Sequence, residues 1–470
     1  MQTSNYNILL YIFVGIVVSL SIYLSRLSGE GDSNFFNGGK SSMWIVLVLS
    51  MIAGSLVQFW ILLVPILSLS RSAILVILSL FVSIMLPVMV IKNRQNIVSQ
   101  FMNVVPAKLK SILFVVVIIF FVIIQPFALL YLGEKIIAQL MGGSYHFLLV
   151  FLISAAGLST VIGGRKVVVY ANAMFGVAVI ASTFAVIYLG GSFSAPMMFL
   201  QMLFAEGAQY FQRHNVFETN WIFGFIGFSV ITWWMWWIDN GAFHLQGKQS
   251  DRQHSSAAMF ASFPLIVIAL VILPAQSGGG TALLNEPASA MVLANNELLV
   301  FFFIFGVVAV MFSAFSLSFH SVAAITANQI FHGNIQQNVE EKHILIARLV
   351  IVLSALLTIL YIPFAQYFGP VTLLLYVQYL ACFAASMVGA FTVFVLRRNF
   401  STNGLTAGVL GGMSAGAVIV LLTYSGTEML TPLLKTPYGA ATGIFFFSML
   451  CSVGGSVMTE WKVAKSSAAV

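Results

Sequence analysis

Ser313, Ser316, His320 and Asn328 stand at successive offsets of 3, 4 and 8 residues within an apolar run, 297–330. At 3.6 residues per turn these offsets keep all four on one helical face. A polar stripe of that length exceeds what one packing bond between helices requires, and it favours a wet path through an apolar layer. His320 adds an imidazole, which titrates near neutral pH and suits a proton relay. A second interruption, Ala53, Gly54, Ser55 and Gln58, lies near the middle of the apolar run 43–69. Two readings of it stand: small residues that let helices pack closely, or a broken helix whose freed carbonyls coordinate an ion or a solute. A third constellation is Thr232-Trp233-Trp234-Met235-Trp236-Trp237, closed by Asp239. The tryptophans form either an interfacial belt or the wall of an organic-solute pocket. Asp239 either caps helices or guards a gate, and Glu134 beside Lys135 reads as an interfacial ion pair.

The setting for these residues is set by composition. Of 470 residues, 60% are hydrophobic and 7% charged. Soluble domains carry about 25% charged residues, and no globule of this size could hide the apolar excess from water. A soluble enzyme, a disordered chain and a secreted disulfide scaffold are therefore excluded, and the chain reads as an all-α polytopic membrane protein. The net charge of +7 is loop charge that orients the chain; no basic patch interleaves with aromatics, so no nucleic-acid partner is expected. Cys382 and Cys451 sit in apolar runs and read as small packing residues. There is no phosphate-binding glycine loop with its lysine and no HExxH. The histidines lie mostly at helix ends or in loops, so no haem or metal core is expected. With no nucleophile–base pair in view, the chain is not read as an enzyme.

Breaks at charges and at Gly/Pro/Asn/Ser clusters divide the chain into thirteen spans: 6–26, 43–69, 72–91, 108–141, 146–164, 167–189, 218–240, 254–274, 297–330, 343–368, 370–397, 404–425 and 437–460. Pro126 is expected to kink the fourth. No basic residue precedes the first span and Arg26 follows it, so that span stays as a helix with its N-terminus outside. This topology puts every basic residue inside except Arg71, Lys135, Arg213 and Lys435, as the positive-inside rule requires. The C-terminus then lies inside, and a bacterial inner membrane is the expected location. The long connections 190–217 and 275–296 both fall outside.

Several stretches, in order, resemble the solute:sodium symporter family. Asp32-Ser-Asn-Phe-Phe-Asn-Gly-Gly-Lys40, Trp44 and Ser50-Met-Ile-Ala-Gly54 are similar to its DYFLAGR-type loop and first core helix. Gly163-Gly-Arg-Lys-Val-Val-Val-Tyr170 with Gly176 resembles its GGLKAVIYTD stretch, and Asp239-Asn240 with Lys248-Gln-Ser-Asp251 its DQ…QR…AAKD loop. Ser313 to Ser321, continuing to Ile330-Phe331, resembles its SS-LDS-LNS…DIY helix. The resemblance runs from about residue 30 to 400 and implies a LeuT-type core of five plus five helices in inverted repeat. The first repeat would be 43–189 and the second 218–397. One peripheral helix, 6–26, would precede them, and two more, within 404–460, would follow.

The resemblance also implies sites. A sodium site would use main-chain oxygens at Ala53, Leu56 and Val310 with side chains at Ser313 and Ala314. A solute pocket would fall near Ser55, Gln58, Trp233, Trp236 and Trp237. Asn172, Asp239 and His320 become coupling or gate candidates. Three departures weigh against the ion site: Ala314 lacks the second hydroxyl, Asn172 replaces an aspartate, and Ser55 offers no carboxylate. Sodium is a hard cation that needs oxygen ligands. The expected function is import of a small organic solute by alternating access in the lipid bilayer, coupled to sodium, with a proton as the rival ion. The alternative is a transport-inactive receptor or an accessory subunit of a membrane partner. Apart from sodium no cofactor is expected.

Overall fold

The computed structural model describes residues 3–27, 35–36, 44–54, 101, 104–133, 137, 145–189, 219–234, 297–327, 339–397, 401–424 and 437–467. Among them the chain is helical, and eleven helices follow one another: α1 (Thr3–Leu27), α2 (Trp44–Gly54), α3 (Ala107–Ile119), α4 (Gln125–Gly133), α5 (Tyr145–Leu189), α6 (Thr219–Trp233), α7 (Glu297–Ile325), α8 (Val339–Tyr361), α9 (Ala365–Leu396), α10 (Thr402–Tyr424) and α11 (Pro437–Ser467). Seven segments are long and apolar enough to cross a membrane, and three shorter apolar helices accompany them among the described residues. The chain is an all-α polytopic membrane protein. The expected spans 72–91 and 254–274 and most of 43–69 lie outside the described residues, as do both long connections.

Proline and glycine set the interruptions. Between α3 and α4 a π-helical turn, Phe120–Ile124, precedes Pro126, and the Gln125 N–H donates to Phe120 O. Proline has no N–H and crowds the carbonyl one turn earlier, so the regular ladder cannot pass through it. Gly164 breaks α5 with φ 55 and ψ −145, a backbone region open essentially to glycine alone. The boundary expected between 164 and 167 is thus a single-residue bend. The boundary expected at 369 is displaced: the chain turns at Ile362–Phe364, a 3-10 turn with proline at its start. Pro363 rather than Pro370 makes the break, because its ring fits the first turn of the new helical stretch.

The helices belong to two compact units, and each gathers helices from both halves of the sequence. In the first unit (1–73, 114–206 and 243–373), α7 packs along α5, and α1 and α8 also pack against α5. Phe175 and Phe312 are fully buried with ring centroids 4.4 Å apart, and Phe13 of α1 reaches Phe175 at 5.6 Å and Phe305 at 4.3 Å. On α8, Ile344, Ala347, Ile351 and Ala355 are buried while Leu345, Leu349, Leu353, Leu356 and Leu360 are exposed. So large an exposed apolar face would be a liability in water; on a membrane helix it is the face that meets lipid.

In the second unit (74–113, 207–242 and 374–470), α10 and α11 pack along each other and α6 lies against α11. Small residues allow the approach: Gly227 faces Tyr438 O, Gly404 faces Ser456, and Gly412 faces Ser386 and Ser448. Thr442 Oγ1 donates to Phe223 O, and Ser448 Oγ donates to Ser386 O at 2.7 Å. Cys382 and Cys451 are both free thiols, packed against Gly416 and Gly411. Arg397 Nη2 donates to both Glu460 carboxylate oxygens, at 2.9 and 2.8 Å.

Close approach makes glycine indispensable at chosen points. A Cβ at Gly176 would strike the Leu49 carbonyl of α2, a backbone group that cannot rotate away, whereas Gly15 faces open space. Gly176→Ala is expected to destabilise the purified protein by about 1–3 kcal/mol, the usual cost of overpacking, while Gly15→Ala leaves it unchanged. Thermal unfolding of the two variants in detergent checks both outcomes.

Candidate functional site

Three helices of the first unit converge where the sequence places its cation candidates. The end of α2 reaches α7 at Gly54, where an added Cβ would lie 3.2 Å from Leu317 Cδ2. Leu317 follows Ser313 and Ala314 by one helical turn, so these residues share a face. The same α2 meets α5 where Leu49 O lies over Gly176, one turn beyond Asn172. Ala53, Asn172 and Ser313 are wholly buried, and Val310, Ala314 and His320 nearly so. Four of the five cation candidates are therefore described together in one unit; Leu56 lies outside the described residues.

The polar contacts at this junction are few and specific. Ser316 Oγ lies 3.0 Å from Asn172 Oδ1 and 3.0 Å from its own helix's Ser313 O. Ser313 Oγ and Asn172 Nδ2 are buried with no hydrogen-bond partner. A serine hydroxyl has one proton, so Ser316 cannot donate fully to both neighbours. In the structure Ser316 donates to Asn172 Oδ1, and Asn172 Nδ2 is the atom left over. Turning the Asn172 amide over, which exchanges nearly isosteric atoms, would let Ser316 donate to Ser313 O and accept from Asn172 Nδ2. Asn172 Oδ1 would then be the atom left over, on the same helix junction as the Ser313 hydroxyl. Sequence reasoning placed Ser316 on the polar stripe but not among the ligating residues; its spacing of three from Ser313 was the available signal.

A second cluster surrounds Phe35, in the stretch before α2. Phe35 is buried, and its carbonyl accepts the Arg165 N–H at 2.9 Å. The Arg348 guanidinium stands 5.6 Å from the Phe35 ring centroid, a cation–π approach, and Arg348 Nε donates to Val161 O at 3.2 Å. The His320 ring lies 6.5 Å from that of Phe35. Phe35 thus has the Arg348 guanidinium and the His320 imidazole as ring neighbours.

In the second unit, Trp233 packs its ring edge to face with Phe391 at 6.0 Å, and Trp234 does the same with Phe383 at 5.1 Å. Phe101 joins Phe391 at 5.2 Å. Trp233 thus belongs to an aromatic cluster with α9. Ser55, Gln58, Trp236, Trp237, Asp239, Asn328 and Glu134 lie outside the described residues.

No family model matches the chain, and no curated protein matches its sequence. Solved structures do match in fold. One is a Na+-coupled sialic acid symporter in a substrate-bound outward-open state, described as revealing a novel Na+ site. It superimposes with a TM-score of 0.70 over 95% of this chain and 97% of that chain, at 13% sequence identity. The likeness is one of fold, and it extends over essentially the whole of both chains.

At Gly164 an added Cβ would meet both the carbonyl and the ring of Phe35, in a backbone conformation that side chains rarely adopt. Gly164→Ala is expected to push Phe35 out and free the Arg165 amide. Hydrogen–deuterium exchange of the peptide spanning 161–168 should quicken at least tenfold; unchanged protection would contradict this docking.

Proposed function

We propose that this chain is a secondary active transporter that imports a small organic solute by alternating access, driven by sodium. The observation that carries the reading is the convergence of α2, α5 and α7 on buried, underused polar atoms: the Ser313 hydroxyl and the Asn172 amide beside Ser316. Burying such groups without partners costs about 1–3 kcal/mol each, and a fold that keeps two of them together fits a site for a polar ligand. Oxygen donors suit a hard monovalent cation. With the amide turned as above, Ser313 Oγ and Asn172 Oδ1 supply side-chain oxygens, and the carbonyls of Ala53, Leu56 and Val310 complete the set. A carboxamide oxygen can ligate sodium without a formal charge, which offsets part of the loss of an aspartate at 172. The full-length fold likeness to a Na+-coupled symporter supports the same reading. Ser55 and Gln58 of the first unit remain solute-binding candidates, as do Trp233, Trp236 and Trp237 of the second, and Asp239 is the gate candidate. Membership of the solute:sodium symporter family, insertion with the N-terminus outside, and residence in a bacterial inner membrane form part of this proposal.

Radiolabelled sodium binding to the purified protein, with potassium and choline as competitors, tests the ion site. Saturable, sodium-selective binding is expected. Ser313→Ala should weaken it at least tenfold, and Asn172→Asp should tighten it by about tenfold, the equivalent of 1.4 kcal/mol. Absence of binding to folded protein would remove sodium from the mechanism and leave a proton carried by His320. Uptake into proteoliposomes, with a panel of sialic acid, sugars, polyols, amino acids and glycine betaine, tests transport itself. The neutral Asn172 and the missing hydroxyl at Ala314 favour one other reading, a receptor or accessory subunit that has kept the fold. A stoichiometric membrane partner, together with no flux under any imposed gradient, is the result that reading expects.

A further inference from the structure

Gln125 joins Ser313 and Asn172 among the buried polar residues of the first unit that carry an unpartnered side-chain atom. It is 2% exposed, and its Oε1 has no hydrogen-bond partner. Most buried hydroxyls in this unit are satisfied by their own helix: Ser159 and Thr160 bond Ala156 O, Ser182 bonds Val179 O, and Thr358 bonds Ser354 O. A short hydroxyl can always turn back to a carbonyl one turn earlier. The Gln125 amide is carried two carbons further out, and its oxygen is an acceptor that carbonyls cannot satisfy. At 1.5 Å per residue it lies about 22 Å along the helix from Lys110, within the thickness of a hydrocarbon layer of about 30 Å. There an unpaired amide oxygen cannot be solvated by lipid.

The backbone at this point is irregular as well. Gln125 closes the π-helical turn and precedes Pro126, which withholds the N–H that would bond Val122 O in a regular α-helix. Single π-turns inside membrane-length helices are frequent at functional positions. The turn and α4 both pack against α7 and α8, and Gly133 of α4 lies against Met311, two residues before Ser313. A leucine at 125 would satisfy packing without any polar cost, so packing alone does not account for the amide.

We propose that Gln125 is a solute-recognition residue whose amide oxygen accepts a hydrogen bond from an O–H or N–H group of the transported molecule. The proposal rests on the transport reading and extends it to the chemical class of the solute, one that carries hydrogen-bond donors. Affinities of the full-length protein for the solutes of the uptake panel, in sodium, form the test. Sugars, polyols and amino acids supply donors, and glycine betaine supplies none. A donor-bearing solute that binds the unsubstituted protein should bind Gln125→Leu at least tenfold more weakly. Gln125→Glu, which keeps an acceptor, should retain it. If folded Gln125→Leu binds that solute unchanged, or if glycine betaine alone of the panel is bound, this subsite is refuted while transport stands. Should Gln125→Leu fail to fold, Gln125→Asn, which withdraws the amide by one carbon, is put to the same comparison. No binding and no flux for any solute by the unsubstituted protein would overturn the transport reading and this inference with it.

Discussion

Ser316 and Asn172 join α7 to α5 inside a bundle whose outer surface meets hydrocarbon, where neither group can fall back on water. That one contact dictates much around it. Both residues must face inward, which fixes the rotation of α7 about its axis and sets Ser313, three residues earlier, on the same buried side. The partner helix must come close enough for a serine to reach an asparagine, and the nearby Gly176 lets α2 close on α5 without a side chain between them. Hydrophobic burial alone could not hold these positions, because lipid is as apolar as the core and offers little preference between them. Close backbone contact and a few polar bonds set the arrangement instead.

The second unit follows the same rule with different residues. Its seams are built from glycine and serine, with Ser448 and Thr442 donating to the main-chain carbonyls of Ser386 and Phe223 across helix pairs. The ion pair of Arg397 and Glu460 is half exposed, and a pair so placed contributes at most about 1 kcal/mol. Its use is positional, since it sets the ends of α9 and α11 at one level. Packing of small residues carries the cohesion.

Much of this was legible in the amino-acid order. Long apolar runs separated by charges give helices that cross a bilayer, because the hydrocarbon thickness sets their length. The bend at Gly164 and the distortion before Pro126 follow from residue types with unusual backbone freedom or a missing donor. The break at Pro363 was misplaced because Gly369-Pro370 carries the stronger local signal, and a local signal yields to the packing of the helices on either side. The pairing of Ser316 with Asn172 joins residues 144 positions apart, and no periodicity within a helix reveals a partner on another. Gln125 was passed over for a different reason. It is a lone amide in a greasy helix, and only its burial without a partner sets it apart from an ordinary packing residue.

The stretch ahead of α2 has one more consequence. Phe35 is fastened at the Gly164 bend, while further along the chain Leu49 rests on Gly176 and Gly54 on Leu317. α2 is thus held at its middle, by Leu49 on Gly176, and at its end, by Gly54 on Leu317. Two backbones already touch at Gly176, so α2 can pivot there but slide little. A pivot about the middle of a rigid helix moves both of its ends alike, so any swing at the Trp44 end would reach Gly54 and its contact with Leu317 undiminished.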